Sequence, residues 1–146
     1  MGYWGNRGDM GSKSGYEYLL AYKITVPIYD YTVVFCNRWI PRNSLTHDQM
    51  VQAARSVTTN IAEGFKEASV AGYIKLSGVN RASLEELLKD FQAFARQHNL
   101  VIWTKEQSMR EIGEIRVIWD IIKKNPTLPD NPLFPDLPID QERAVN

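Results

Sequence analysis

Apolar residues recur at steps of three and four along four segments of the chain, the spacing that places side chains on one face of an α-helix. The segments cover residues 16–39, 44–68, 69–98 and 104–124. They predict an all-α fold in the form of an antiparallel, up-down four-helix bundle over residues 15–124. Residues 1–14 contain four glycines and predict a flexible N-terminal segment.

The first two predicted helices each carry one apolar stripe. Pro27 interrupts the first stripe, and because proline lacks an amide proton we expect a kink there or a helix that begins at Pro27. Small residues dominate the second stripe, so a neighbouring helix can approach closely, and Thr46-x-x-Gln49 predicts a capping box at its start. The first stripe comprises Leu20, Ile24, Ile28, Tyr31, Phe35 and Trp39. The second comprises Met50, Ala54, Val57, Ile61, Gly64 and Ala68.

The third predicted helix carries two apolar strips, and Asn99 predicts its end. A helix with two strips contacts more than one neighbour, either inside the bundle or in another subunit. The fourth helix also spreads apolar residues widely around its surface. The first strip of the third helix comprises Tyr73, Leu76, Asn80, Ser83, Leu87, Phe91 and Phe94. The second comprises Ile74, Leu84, Leu88 and Ala95.

Residues 125–146 predict a proline-rich, acidic C-terminal tail. Five prolines between residues 126 and 138 exclude a helix there and favour an extended, polyproline-like path. The apolar residues between the prolines suit docking along a groove, and a disordered tail is the alternative. The tail has an excess of three negative charges, whereas residues 1–124 have an excess of three positive charges.

Composition is that of a globular protein, with 44% hydrophobic and 23% charged residues and a formal net charge of zero. Zero net charge argues against strong non-specific binding of nucleic acid. The single cysteine, Cys36, excludes an intramolecular disulfide, and its apolar surroundings predict a buried thiol. No apolar run is long enough to cross a bilayer and no signal-peptide hydrophobic region occurs, so we expect a cytoplasmic protein without membrane contact.

Polar residues lie within or beside the stripes of the second and third predicted helices. Polar groups buried there lower stability unless they are hydrogen-bonded, so each needs a partner. We interpret them as a hydrogen-bond network that fixes helix register, with a polar active site as the alternative. The network comprises Arg55, Ser56, Asn60, Glu63, Asn80, Arg81, Ser83 and Glu86.

The sequence lacks several known catalytic motifs but contains one. Neither His47 nor His98 follows a glutamate by three residues, which excludes the di-iron site of helical bundles, and no phosphate-loop, dinucleotide or serine-hydrolase motif is present. We therefore expect no cofactor, metal ion or small-molecule substrate. Arg42 and His47, however, have the Arg-x4-His spacing of the HEPN class of helical-bundle ribonucleases, in which these side chains stabilise charge and move protons. A ribonuclease is the alternative function.

Basic residues are scattered through the helices, and most are expected on solvated faces. One alternative is an aromatic–basic arm for nucleic acid near the N-terminus, formed by Tyr3, Trp4, Arg7 and Lys13. A plain flexible segment suits the low density of these residues better. The candidates for binding a partner through charge are Arg38, Lys66, Lys75, Arg96, Lys105 and Arg110.

Two segments resemble a known family. These are Asp48-Gln49-…-Ala53-Ala54-Arg55-Ser56-…-Asn60-Ile61-Ala62-Glu63-Gly64 and Arg81-Ala82-Ser83-Leu84-x-Glu86-Leu87. They resemble small bacterial four-helix-bundle proteins that are encoded within intervening sequences of 23S ribosomal RNA genes. The proline-rich end resembles the subgroup described as carrying a four-helix-bundle suffix.

The resemblance implies an antiparallel bundle that assembles into a homo-oligomeric ring, typically a pentamer with a central channel. It also implies kinship with the accessory variability protein of diversity-generating retroelements, a basic ring that binds reverse transcriptase and nucleic acid. We therefore expect a non-enzymatic, ring-forming scaffold. Its expected partners are further copies of itself and either a protein, such as a reverse transcriptase, or RNA or DNA.

Overall fold

Helices account for the regular structure of residues 15–66 and 69–146, the part of the chain that this computed structural model describes, and no strand occurs there. The all-α prediction is therefore confirmed. The segment 1–14, with its aromatic–basic arm, and Ala68 of the second stripe lie outside the described residues. After a 3₁₀ turn at Gly15–Tyr18, the helices are α1 (Leu20–Trp39), α2 (Leu45–Lys66), α3 (Val70–Gln97), α4 (Lys105–Arg110), α5 (Gly113–Lys124) and α6 (Gln141–Val145).

Hydroxyl side chains cap the N-termini of three helices. The Ser44 hydroxyl accepts a hydrogen bond from the Thr46 amide, so the cap of α2 is Ser44, the first residue of the predicted segment, and not Thr46 of the predicted capping box. Ser69 caps α3 by accepting from the Gly72 amide at 3.0 Å. Thr104 forms a complete capping box with Gln107 at the start of α4.

Asn99 ends α3, as predicted, by adopting a left-handed backbone conformation with φ 54°. The Asn99 amide donates to the Arg96 carbonyl, and the Leu100 amide donates to the Ala95 carbonyl at 2.8 Å. This pair of bonds is the Schellman arrangement, in which asparagine tolerates the left-handed position better than most residues do.

The structure differs from the sequence at two helix boundaries. Helix α1 begins at Leu20 and continues through the buried Pro27, which excludes a start at the proline and leaves a kink there as a prediction. The predicted fourth helix is interrupted at Glu111 and Ile112, which separate α4 from α5. Gly113 follows this break, and glycine lowers helix stability by about 1 kcal/mol relative to alanine.

The core lies where α1, α2 and α3 meet. Phe35 is 1% exposed, and its ring contacts those of Trp39, Phe91 and Phe94 edge-to-face at centroid distances of 4.8–5.0 Å. Helix α2 contributes small residues to the same cluster, including Ala53 and Ala54. Cys36 is fully buried there, as predicted, and burial raises the pKa of its thiol to about 11.

The C-terminal part of the chain packs against α1 and α3. Helix α5 contacts α1, and residues 125–140 form neither helix nor strand. The short helix α6, which the sequence analysis missed, contacts α3 and begins after Asp140, whose carboxylate accepts from the Arg143 amide. None of the described helices combines the length and the apolar character that a membrane span requires.

Candidate functional site

An uncovered apolar strip on α3 is the candidate interaction surface. Tyr73, Ile74, Leu84 and Leu88 expose 56%, 64%, 38% and 56% of their surfaces. Helical spacing places all four on one side of α3, next to the side that enters the core. Ala95, which the sequence assigned to the same strip, is fully buried instead. Single exposed apolar residues are ordinary, but two such pairs on one side of a helix, with the exposed Ser77 and Arg81 between them, indicate a surface that contacts something else.

The polar residues predicted to form a network are largely separated in the described parts of one chain. The Asn60 amide donates to the Ser56 hydroxyl at 3.1 Å, one turn away on α2. No hydrogen bond or ion pair joins the other predicted members to one another there. Arg55, Glu63, Arg81 and Glu86 are exposed, and Ser83 is partly buried. Contacts of these residues across a subunit boundary stay a prediction.

Asn60 and Asn80 nevertheless line the same small cavity between α2 and α3. The cavity measures about 210 Å³, and Gly64 and Leu76 also contribute to its wall. The Asn80 side-chain oxygen is buried and has no hydrogen-bond partner within residues 15–66 and 69–146. The structure thus brings together the two amide side chains that the sequence singled out, without a bond between them.

Arg42 and His47, the residues of the ribonuclease motif, meet at a third side chain. The Asn37 side-chain oxygen lies 3.0 Å from His47 Nε2 and accepts from Arg42 Nη2 at 3.4 Å. Arg42 is exposed, whereas His47 is buried at the start of α2. The remaining ring nitrogen of His47 is also buried, 3.8 Å from an Asp48 carboxylate oxygen.

The basic residues proposed for partner binding have different environments. Arg38 Nη1 donates to the carbonyl oxygens of Leu137 and Pro138 within the same chain. The Lys66 ammonium lies 5.2 Å from the centre of the Tyr16 ring. The other four are exposed on α3 and α4, namely Lys75, Arg96, Lys105 and Arg110.

Three side-chain donors on one side of α1 hold the C-terminal segment. Lys23 Nζ donates to the carbonyl oxygens of Ile122 and Asn125 at 3.1 and 3.0 Å, where α5 ends. The Tyr31 hydroxyl donates to the Pro135 carbonyl at 2.5 Å, and Arg38 binds the carbonyls described above. Such a segment needs external donors because proline has a carbonyl but no amide proton.

Arg143 joins α6 to the break between α4 and α5. Its guanidinium donates to both Glu114 carboxylate oxygens at 2.8 and 3.2 Å, and to Glu111 at 2.6 Å. The same group lies 5.9 Å from the centre of the Trp103 ring. The hydrogen bonds from Arg143 lower the pKa of Glu114, and those carboxylates raise the pKa of Arg143. The interruption at Glu111 and Ile112 therefore places two carboxylates around one guanidinium.

Comparison with known proteins adds no assignment: no family model, curated protein or solved structure matches the chain. Within the part of the chain that the structure describes, no group of three histidine, cysteine, aspartate or glutamate side chains is placed to hold a metal ion.

Replacing Lys23 by methionine tests the donors on α1. The methionine keeps most of the apolar stem but leaves the carbonyls of Ile122 and Asn125 without this donor. We expect the free energy of unfolding to fall by about 1–3 kcal/mol, measured by urea denaturation. Lys89→Met is the control, because Lys89 makes only an exposed ion pair with Glu85 and should change stability by about 0.5 kcal/mol or less. Equal losses in the two variants would contradict this role.

The contact of Arg143 with Glu114 predicts a pH dependence of stability. A lowered pKa in the folded state favours folding above the ordinary value of 4.5, and this contribution is lost as the pH falls through the folded-state pKa. Arg143→Gln should be less stable than the wild type near neutral pH, and the difference should shrink below about pH 4.5. Urea denaturation at a series of pH values measures it. Arg110→Gln, an exposed change on α4, should show no such trend.

Proposed function

We propose that the chain is a non-enzymatic, ring-forming scaffold that assembles with copies of itself and presents a surface to a protein or nucleic-acid partner. The observation that carries the proposal is the uncovered strip of Tyr73, Ile74, Leu84 and Leu88 on α3. Burying apolar surface stabilises an association by roughly 25 cal/mol per Å², so burial of these four side chains against a second copy favours contact between subunits.

The arrangement of the other helices supports a subunit contact at this place. Helix α5 and the residues that follow it contact α1, and α6 touches α3 near its C-terminal end. These elements leave Tyr73, Ile74, Leu84 and Leu88 open, so a second copy of the chain is the occupant that we propose for the strip. In this proposal the structure is one subunit of an up-down four-helix bundle protein with a proline-rich C-terminal segment.

The resemblance to the intervening-sequence proteins supports a ring, and a pentamer in particular. The Asn-Ile-Ala-Glu-Gly segment that carries it spans residues 60–64 on α2, which packs against α3. In an assembled ring, the exposed Glu63 and Arg81 side chains would contact a neighbouring subunit and complete the register-fixing network. The buried Asn80 oxygen would stay within its own chain.

Charge substitution on the strip tests the proposal. Native mass spectrometry of the untagged protein, purified without nuclease, should give a discrete fivefold mass. Any additional mass of nucleic acid would identify that class of partner. The double variant Leu84→Lys and Leu88→Lys should dissociate to monomers at the same concentration, since an uncompensated charge in a buried contact costs about 3 kcal/mol or more.

The matched control is Val79→Lys. Val79 is 45% exposed but lies on the opposite side of α3 from the strip, so this variant should keep the wild-type mass. Circular dichroism should show equal helix content in all three proteins. A monomeric wild type would overturn the proposal, as would dissociation of the Val79 variant to the same extent as the double variant.

A ribonuclease is the second candidate, because Arg42 and His47 share hydrogen bonding to Asn37. This candidate requires RNA cleavage by the wild-type protein that His47→Ala abolishes while its circular dichroism spectrum stays that of the folded protein. The scaffold proposal instead predicts no cleavage by either protein in an assay of radiolabelled single-stranded RNA. Cleavage that depends on His47 would replace the scaffold by the enzyme.

A further inference from the structure

A second, larger cavity lies between α1, α5 and the C-terminal segment. Its volume is about 390 Å³, within the range of sites that hold small organic molecules. Ile24 and Ile28 of α1 line one side, and Ile118 and Ile122 of α5 line the other. Aliphatic side chains from two helices therefore form opposite walls of a cavity that is partly open to solvent.

Aromatic rings make up much of the remaining wall. The rings belong to Tyr31, Phe35, Phe91, Trp103 and Trp119. Aromatic faces attract organic cations, and the attraction is larger in a site from which water is excluded. The wall thus suits an apolar body and tolerates a positive charge at its edge.

The charged groups around this cavity are mainly acidic. Glu111, Glu114 and Asp136 contribute to its lining, with Arg143 as the cation among them. Arg143 is paired with both glutamates, whereas the exposed Asp136 has no ion-pair partner within residues 15–66 and 69–146. Burial raises the pKa of Tyr31 to about 12, and the negative charges of Asp136, Asp30 and Glu114 add to the rise. Asp136 is therefore the acidic group of this lining that no cation of the described residues neutralises.

We propose that this cavity is a binding site for a small organic cation, an amine with an aryl or alkyl body that enters between α1 and α5 while its ammonium lies near Asp136. The aryl or alkyl body of the amine would fill the cavity and contact its apolar lining. Arg143 is already paired with Glu111 and Glu114 and does not neutralise Asp136. The ammonium would supply that positive charge. The ligand is bound and not transformed, and the site is independent of the strip on α3.

Three probes of similar size and different charge test the proposal. These are 3-phenylpropylammonium, 3-phenylpropanol and 3-phenylpropionate, titrated into the full-length protein by isothermal calorimetry. The ammonium should bind with a dissociation constant of about 1 mM or lower, which is typical of a fragment of this size. The alcohol should bind roughly fivefold more weakly, as expected for loss of one partly exposed charge contact, and the propionate more weakly still.

Two pairs of variants separate the cavity from the surface around it. Ile115→Trp fills the mouth from α5 and should weaken binding of all three probes at least about tenfold. Val117→Trp, an equally exposed change on α5 outside the cavity lining, should not weaken it. Asp136→Asn should remove the preference for the ammonium over the alcohol, and Asp120→Asn on α5 should preserve that preference.

Several outcomes would overturn the inference. Absence of ammonium binding by the wild type, or equal binding by Ile115→Trp and the wild type, would show that the cavity is not the site. Equal affinity for the ammonium and the alcohol would show that charge has no role. A change of native mass in Ile115→Trp, with loss of binding, would assign the cavity to a contact between copies of the chain. Adding 3-phenylpropylammonium should leave the subunit count measured by native mass spectrometry unchanged. A failure of ligand binding can therefore be told apart from a failure of the proposed assembly.

Discussion

The interaction on which the rest of the structure depends is between the donor side chains of α1 and the backbone carbonyls of the C-terminal segment. A proline-rich segment cannot satisfy its own carbonyl oxygens, because its prolines contribute no amide protons. Lys23, Tyr31 and Arg38 provide donors two turns apart along one side of α1. The segment can therefore lie against a helix without becoming a helix or a strand, and the end of α5 is fixed by the same lysine.

This arrangement determines which surfaces are covered. Helix α1 is packed on two sides, by α2 and α3 through the cluster around Phe35 and by α5 and the segment after it. Helix α6 contacts α3, and a row of apolar residues on α3 stays exposed. The larger cavity lies between α1 and α5, and its lining includes none of the four residues of that row. The proposed subunit contact and the proposed ligand site therefore belong to different parts of the molecule and can be tested separately.

Features that depend on local sequence were predicted well, and those that depend on distant partners were not. The end of α3 at Asn99 and the burial of Cys36 follow from neighbouring residues and apolar spacing.

The role of Lys23 was missed because its acceptors lie 99 and 102 residues further along the chain. Helix α6 has a local signal in the Asp140 cap that was missed, whereas its position beside α4 and α5 depends on the distant carboxylates that bind Arg143. The exposed strip was visible as periodicity at Ile74, Leu84 and Leu88, but spacing alone could not show that Ala95 enters the core. Likewise, helical spacing set Asn60 beside one apolar stripe and Asn80 within another, without revealing what each side chain would bind.

The most direct test of this central interaction is whether the C-terminal segment lies on α1 of its own chain. The rings of Tyr31 and Phe134 have centroids 6.4 Å apart, close enough for a nuclear Overhauser effect between their protons. We expect this effect in protein labelled selectively at tyrosine and phenylalanine, and its persistence when labelled chains are diluted with unlabelled ones. Absence of the effect, or its appearance only between differently labelled chains, would contradict the account.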